Sequence, residues 1–273
     1  MKSNNLLIGN SRDLMYIQFP RLLKVPGIRH IFSTRHGGVS VGDCASMNLS
    51  FNKDTDDQNV KDNFKILCSA VGINPENLVL SHQTHTNNVI CVDENHRGTG
   101  ITKPSFSDVD GLITNRPGVA LVTQYADCTP LVFCDPVKRV IATSHAGWRG
   151  TVKLIGKCTV DKMVAEFGCN PQDIIAGIGP CIGKCCYEVD DPVANEINKI
   201  GFLDKERIIF SKGGGKYMLD LAETNRQILV EAGINPQNID ITDICTCCNS
   251  KDLHSHRATG GKRGNLALII ELM

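Results

Sequence analysis

The chain has 273 residues, 41% of them hydrophobic, enough to bury the core of one large α/β domain or of two ordinary ones. Lysine plus arginine balances aspartate plus glutamate at 29 each, so no broad field draws the chain to nucleic acid or anionic lipid, and a small-molecule substrate is the default expectation. No run approaches the roughly 18 apolar residues that span a bilayer, and the N-terminal MKSNNLLIGNSRD lacks a basic region followed by an apolar stretch, so a cytoplasmic protein is expected.

Residues 1–12 read as a flexible N-terminal segment. Short β-rich runs follow at 30–34, 78–80, 88–92, 111–114, 119–123, 130–134, 140–144, 174–176 and 239–241, and residues 266–272 close the chain. Between them lie helical patterns that end on one repeated punctuation, Gly72-Ile73-Asn74-Pro75, Gly168-Cys169-Asn170-Pro171 and Gly233-Ile234-Asn235-Pro236. Glycine just past a helix end turns left-handed without steric cost, and proline then blocks continuation. The clearest helix runs through Val152, Ile155, Val160, Met163, Val164 and Phe167, with Lys153, Lys157, Lys162 and Glu166 elsewhere around it.

The punctuation is unevenly spaced, which excludes a solenoid, and no linker divides the chain. Several β runs are hairpin-like. The expected fold is therefore α/β, with mixed β-sheets packed together and flanking helices, as a single compact domain over residues 1–273. Thirteen cysteines, an odd number with adjacent pairs Cys185-Cys186 and Cys247-Cys248, suit a disulfide framework poorly and read as reduced thiols, a few of them available to metal.

Reactive side chains concentrate in three segments at the ends of β runs: Ser81-His82-Gln83-Thr84-His85, Ala126-Asp127-Cys128-Thr129-Pro130 and Ser144-His145-Ala146-Gly147-Trp148-Arg149-Gly150. Zinc accepts imidazole nitrogen and thiolate sulfur, and catalytic sites supply three protein ligands with one place open, a need that His85, Cys128 and His145 meet. Spacing alone leaves two plainer readings open, a small buried hydrophobe for the cysteine and hydrogen-bonded core residues for the histidines.

Other stretches add to the pattern: Phe32-Ser33-Thr34-Arg35-His36-Gly37-Gly38-Val39-Ser40, Met47-Asn48-Leu49-Ser50, Asp108-Val109-Asp110-Gly111-Leu112-Ile113-Thr114 and Ile178-Gly179-Pro180-Cys181-Ile182-Gly183. Together, and in this order, the segments resemble the laccase-domain family, also called YfiH/YlmD or polyphenol-oxidase-like, whose members have been described as purine nucleoside phosphorylases. The resemblance runs from about Phe32 to the last strand. It implies packed sheets with helices outside, and a zinc site of His85, Cys128 and His145. The implied activity is phosphorolysis of adenosine, inosine, guanosine and methylthioadenosine to base and ribose 1-phosphate, together with adenosine deamination.

Deamination needs a carboxylate to shuttle protons, for which Asp110 and Asp127 are the available candidates, although Asp beside Gly or Pro more often caps a turn. Phosphorolysis needs an anion pocket. Arg35 and Arg149 lead there because a guanidinium binds phosphate oxygens in pairs, and Asn48 joins them as a substrate-binding candidate. The run 254–264, with its glycines and basic residues, reads either as a second anion cradle or as a plain basic loop. Around Arg257, where related chains carry an aromatic residue and a second arginine, this chain reads His-Ser-His-Arg-Ala. Cys245, Cys247, Cys248, His254 and His256 lie close enough together to suggest a second metal site, but their Cys-x-Cys-Cys-x5-His-x-His spacing matches no common zinc module and favours ordinary reduced thiols.

Three rival readings stand beside this one. Cysteine with two histidines is also a blue-copper ligand set, and copper could load in vitro, but a multicopper oxidase needs roughly ten histidines, and the chain has eight. Cys128 and His145 could instead be nucleophile and base of a cysteine hydrolase. A non-enzymatic partner protein of cell-wall or division processes is the third, with no interaction segment to support it. The oligomeric state is not legible.

Overall fold

The computed structural model describes residues 1–54 and 56–273. The first part of the chain forms β1 (Leu7–Ser11), β2 (Leu14–Gln18), β3 (Ile28–Ser33), α1 (Asp57–Ser69), β4 (Leu78–Leu80), β5 (Val89–Cys91) and β6 (Gly111–Thr114). The middle forms β7 (Ala120–Tyr125), β8 (Thr129–Asp135), β9 (Val140–Ala146), α2 (Trp148–Val152), α3 (Ile155–Phe167), β10 (Ile175–Ile178), β11 (Glu188–Asp190) and α4 (Asp191–Asn198). Then come β12 (Ile209–Gly213), β13 (Lys216–Leu219), α5 (Leu221–Glu231), β14 (Ile239–Ile241), α6 (His256–Thr259) and β15 (Leu266–Leu272).

One six-stranded sheet has the order β1-β2-β3-β15-β7-β4, a second the order β14-β10-β8-β9-β6-β5, and a small third sheet the order β11-β13-β12. Both large sheets are mixed: β4 and β7, β10 and β14, and β5 and β6 pair parallel, while the remaining neighbours run antiparallel. Strand β15 shows how they stack. Leu266, Leu268, Ile270 and Leu272 face the second sheet's Leu112, Val132 and Ile141, whereas Ala267 and Ile269 pack toward Phe64 and Leu67 of α1. The outer face of the second sheet is closed by α3 and α5 through Ile155, Val160, Met163 and Leu229. The layers thus run helix, sheet, sheet, helix, and strands buried on both faces read as continuous apolar runs. The mixed α/β arrangement agrees with the sequence expectation.

Gly72, Gly168 and Gly233 adopt φ of 73°, 64° and 95° after their helices. Asn74, Asn170 and Asn235 then cap the short turns that follow by accepting from the N–H two residues on.

Two expectations need correction. The helix drawn through Val152 is broken, because Leu154 turns left-handed at φ 60° and separates α2 from α3. Val152 and Leu154 pack toward α4 and the small sheet, while Ile155, Val160 and Met163 pack on β9, so one straight helix cannot serve both cores; Val164 is 39% exposed. Residues 1–12 are also tied down. Leu7–Ser11 pairs with β2, Ser3 and Asn4 bond Asp243, and the N-terminal amine meets Asp252 at 2.9 Å. The apolar pattern was too short to announce β1, and the carboxylates that hold Met1, Ser3 and Asn4 lie more than 200 residues away.

His30, on β3, is buried, and its Nε2 accepts the Phe19 N–H at 2.9 Å. That bond requires the neutral ring, and burial pulls its pKa from 6.5 to about 4. Unfolded chains take up this proton near pH 6.5 and folded ones only near 4, so stability falls through that window as pH decreases, by about 3 kcal/mol. His30→Gln, whose side-chain oxygen can accept in place of Nε2, should flatten that part of a urea-denaturation pH profile. An unchanged slope between pH 6.5 and 4 would show that His30 titrates normally.

Candidate metal centre

Pairing of β8 with β9 sets Thr129 opposite Ala146 and Pro130 opposite His145, which leaves Cys128 beside Gly147. Pairing of β6 with β9 sets Gly111 opposite Ser144, so Asp110 lies beside His145, whose N–H bonds the Asp110 carbonyl at 2.7 Å. Strand β5 pairs with β6 through Val89 and Gly111, and this brings the turn at 84–86 to Asp110 as well. Three residues remote in the chain therefore converge because three strand pairings end at one point.

The ligand atoms of His85, Cys128 and His145 lie within 4.8 Å of one another, with Cys128 Sγ 3.7 Å from His85 Nε2. A tetrahedral zinc with ordinary Zn–S and Zn–N lengths separates sulfur and nitrogen by about 3.6 Å, so the donor set fits such an ion. Asp110 fixes the His145 imidazole and the His85 backbone. Its Oδ1 meets His145 Nδ1 at 2.8 Å and accepts the His85 N–H at 3.1 Å. Its Oδ2 accepts the N–H groups of Thr84 and Thr86 and the Thr86 hydroxyl at 3.1, 2.8 and 2.8 Å. His85 is held at φ 65°, and those amide bonds offset the cost of the left-handed backbone. With Nδ1 bound to a carboxylate, His145 offers Nε2 to the site.

Burial alone would raise the Cys128 thiol, yet the charge of His145 and hydrogen bonds from His145 and His85 bring it down to about 6. Burial works against the His145 proton in the same way, and the Cys128 thiolate with Asp110 overcomes it, raising that imidazole. Asp110 is driven to about 2: burial opposes ionisation, and the bonds from His145 and Thr86 outweigh it. The site favours thiolate, the form a metal requires.

Gly147 leaves the room for this packing. A Cβ there would sit 2.6 Å from His85 Cδ2 and 3.0 Å from Cys128 Sγ. Gly147→Ala should displace the His85 ring and lower metal affinity by about 10-fold or more, as disruption beside a ligand does. Competition titration with a chromophoric chelator measures it, and an unchanged constant would show that the ring has free space.

Two hollows flank the group. One, of about 570 Å³, is bordered by His85, Cys128, His145, Gln83, Tyr125 and Arg263. The other, of about 380 Å³, is bordered by His85, Cys128, Asp127, Trp148, Arg149 and Arg257, and again by Arg263. His85 and Cys128 stand on the wall common to both. Arg149 is exposed, its guanidinium 4.4 Å from the Trp148 ring centre, and it forms no ion pair among the described residues. Asp127 borders the second hollow at φ 85°, accepting the Thr246 hydroxyl at 2.6 Å and the Arg257 N–H at 2.7 Å.

The remaining candidates lie elsewhere. Arg35 spends its guanidinium on the carbonyls of Ala45 and Ser250, at 2.8 to 3.0 Å, and borders neither hollow, which corrects its expected phosphate role. Asn48 is buried and saturated, donating to Ser50 and Asp54 and accepting from Ser50 and Asn265, so it holds loops together and borders neither hollow. Asp110 is likewise saturated, a positioning carboxylate in place of the proton shuttle considered for it.

Arg257, Arg263 and His256 were missed as individual residues, though the basic run 254–264 signalled them. That run supplies cationic side chains to the second hollow. Arg257 reaches it over the Tyr187 ring while donating to the Cys186 and Glu188 carbonyls. Arg263 Nε is buried without a hydrogen-bond partner among the described residues, and burial lowers its pKa against the pull of Asp127 and Cys128.

The family model described as multi-copper polyphenol oxidoreductase laccase matches residues 29–273. The chain belongs to this laccase-like family. It is 35% identical over 241 residues, 88% of this chain and 86% of the relative, to a protein of Bacillus subtilis named purine nucleoside phosphorylase YlmD. It is 34% identical, over 85% of this chain and 90% of the relative, to a protein of an unknown prokaryotic organism named adenosine deaminase RL5. Among solved structures, the hypothetical protein YfiH of Bacillus licheniformis superposes with a TM-score of 0.92 at 32% identity, covering 99% of this chain and all of that one (100%). The laccase-like fold expected from the motifs is thus the fold observed.

Proposed function

We propose that this laccase-like protein is a zinc-dependent purine nucleoside phosphorylase that also deaminates adenosine. The observation that carries the reading is the convergence of His85, Cys128 and His145, with His85 and Cys128 on a wall shared by two hollows, one of them edged by Arg149, Arg257 and Arg263. Relatives named for phosphorolysis and for adenosine deamination support it. Zinc bound by the three residues supplies Lewis acidity at a place with one coordination position open to a non-protein group.

The chain's own residues do the rest. Asp110 holds His85 and His145 in place, and the arginines bind phosphate, two N–H donors to an oxygen pair. A phosphate oxygen bonds to ribose C1′ as the bond from C1′ to the purine nitrogen breaks; the bonding pair leaves with the base, which takes up a proton. Adenosine, inosine, guanosine and methylthioadenosine share that bond. In deamination water adds at C6 of adenine and ammonia departs, and Asp127 is the carboxylate at the cavity edge to carry the proton between them. A cytosolic setting suits a chain of thirteen cysteines whose ligand thiol must stay reduced. Copper can compete for the same donors in vitro. Among the described residues, however, the other group of convergent donors consists of cysteines, with no histidine cluster for a trinuclear copper centre.

The decisive experiment is liquid chromatography of adenosine incubated with zinc-loaded enzyme. Adenine should appear only with phosphate present, and deaminated products without it. Absence of both rejects the reading. Arg149→Ala is expected to reduce phosphate-dependent cleavage by about 10-fold or more, the loss of one charge-assisted bond, and to leave deamination less affected. Equal loss of both activities would remove Arg149 from the phosphate site.

A second reading has one observation behind it: the depressed Cys128 thiol beside a raised His145 also describes an activated cysteine nucleophile. Purified protein without stoichiometric metal, whose Cys128 alkylates rapidly at neutral pH, would favour that hydrolase.

A further inference from the structure

We propose that Cys185, Cys186, Cys245 and Cys248 bind a second zinc ion, structural in role, which clamps the segment after β10 to the segment after β14. The four sulfur atoms lie within 4.8 Å of one another. Cys248 Sγ is 3.4 Å from Cys185 Sγ and 3.4 Å from Cys186 Sγ. Four sulfurs around one zinc at an ordinary Zn–S length stand about 3.8 Å apart, so the group needs adjustments of a few tenths of an ångström to an ångström to close on an ion.

Two features distinguish the cluster from thiols gathered by chance. Cys245-Thr246-Cys247-Cys248 is a Cys-x2-Cys turn, and the Cys248 N–H points at Cys245 Sγ at 3.5 Å, with the Gly183 N–H pointing at the same sulfur at 3.2 Å. Two amides aimed at one sulfur stabilise a thiolate, the form a metal takes. Cys248 is also equidistant from two partners, which suits shared ligation better than a bond to either one. Gly183 packs closely against the cluster: a Cβ there would approach Cys245 Cβ at 3.1 Å and Cys185 Sγ at 3.4 Å. Cys185 and Cys248 reach the surface, giving an ion its entry.

The ligand set differs from the one the sequence suggested. His254, His256 and Cys247 do not belong to it: His256 borders the second hollow, and His254 is buried where Arg35 and Arg263 act on it. The missing partners come from 60 residues earlier, brought in by a short bridge between Cys181 and Cys245 and by the Thr246 N–H bonding the Cys181 carbonyl at 2.9 Å.

The clamp sits behind the cavity wall. Ile182 N–H bonds the Asp127 carbonyl at 2.9 Å, Thr246 holds the Asp127 carboxylate, and Arg257 rests on the Cys186 carbonyl at 2.8 Å. A four-thiolate ion would lock both segments and, through them, Asp127 and Arg257. Four protein ligands leave no open position, so the ion has no place for substrate.

Metal analysis by mass spectrometry on full-length protein, purified with zinc and reductant, should find two zinc ions per chain. Cys128→Ala and Cys245→Ser should each lower that to one. Zinc-edge X-ray absorption of Cys128→Ala keeps the test independent of whether the Cys245 variant folds: its remaining ion should show four sulfurs at about 2.3 Å and no nitrogen. One zinc in the parent protein and none in Cys128→Ala would overturn the proposal, as would an intact mass 2 Da short that maps to a bond from Cys248 to Cys185 or Cys186. Two zinc ions in an enzyme inert toward nucleosides would uphold this site and reject the proposed reaction, so the two claims fail separately.

Discussion

Replacing Cys128 with alanine is expected to abolish nucleoside turnover and strip the ion from the cavity site while the fold survives. The sulfur is the one anionic donor of its group, and its thiolate is already favoured by His145 and His85. Its loss should therefore exceed the roughly 10–100-fold in metal affinity that removal of an outer partner costs. Cys128 lies at the mouth of the β8–β9 pairing, outside both strands, so the sheet's hydrogen bonds do not depend on it. Circular dichroism and thermal melting check the fold, and steady-state assays at saturating zinc check activity. Turnover above a tenth of the parent's would remove Cys128 from the machinery.

Asp110→Asn is the second large effect. The side chain keeps its shape and loses its charge, and one of its two oxygens becomes an NH2 that must face either the amides of Thr84 and Thr86 or the protonated Nδ1 of His145. Each buried donor left without an acceptor costs about 1–3 kcal/mol, and each kcal/mol lowers the melting temperature of a chain this size by about 2–4 °C. Metal affinity should fall by about 10–100-fold. The sign with pH follows from the depressed carboxyl: its stabilising contribution is complete above 3.8 and lost as pH falls through about 2, so the parent should shed this advantage over the variant only in strong acid. Parent and variant melting alike at neutral pH would show that Asp110 holds neither the turn nor His145.

Much of this was legible in residue order. Glycine shortly before Asn-Pro ended three helices because backbone sterics act locally, and β15 declared itself by six apolar residues out of seven because it is buried on both faces. Tying of the N-terminal segment, the break at Leu154 and the saturation of Arg35 and Asn48 were not legible, since each depends on partners that only folding supplies. Arg35 looked like a phosphate ligand because it lies among glycines. Its carbonyl partners at Ala45 and Ser250 are 10 and 215 residues away, and no local pattern reports the second.

By itself the amino-acid sequence determined the class of elements, the two imidazoles and one thiolate worth watching, and the family to which their motifs point. Tertiary structure alone decided that strand pairing brings His85, Cys128 and His145 within reach of one ion, that Asp110 holds the His145 ring and the turn carrying His85, that Arg257 and Arg263 face the cavity, and that four thiols from two distant loops meet. The division has a physical cause. Helix ends and apolar periodicity are set by neighbours a few residues apart, whereas a binding site is set by which strands lie side by side, and that choice rests on burial summed over the whole core.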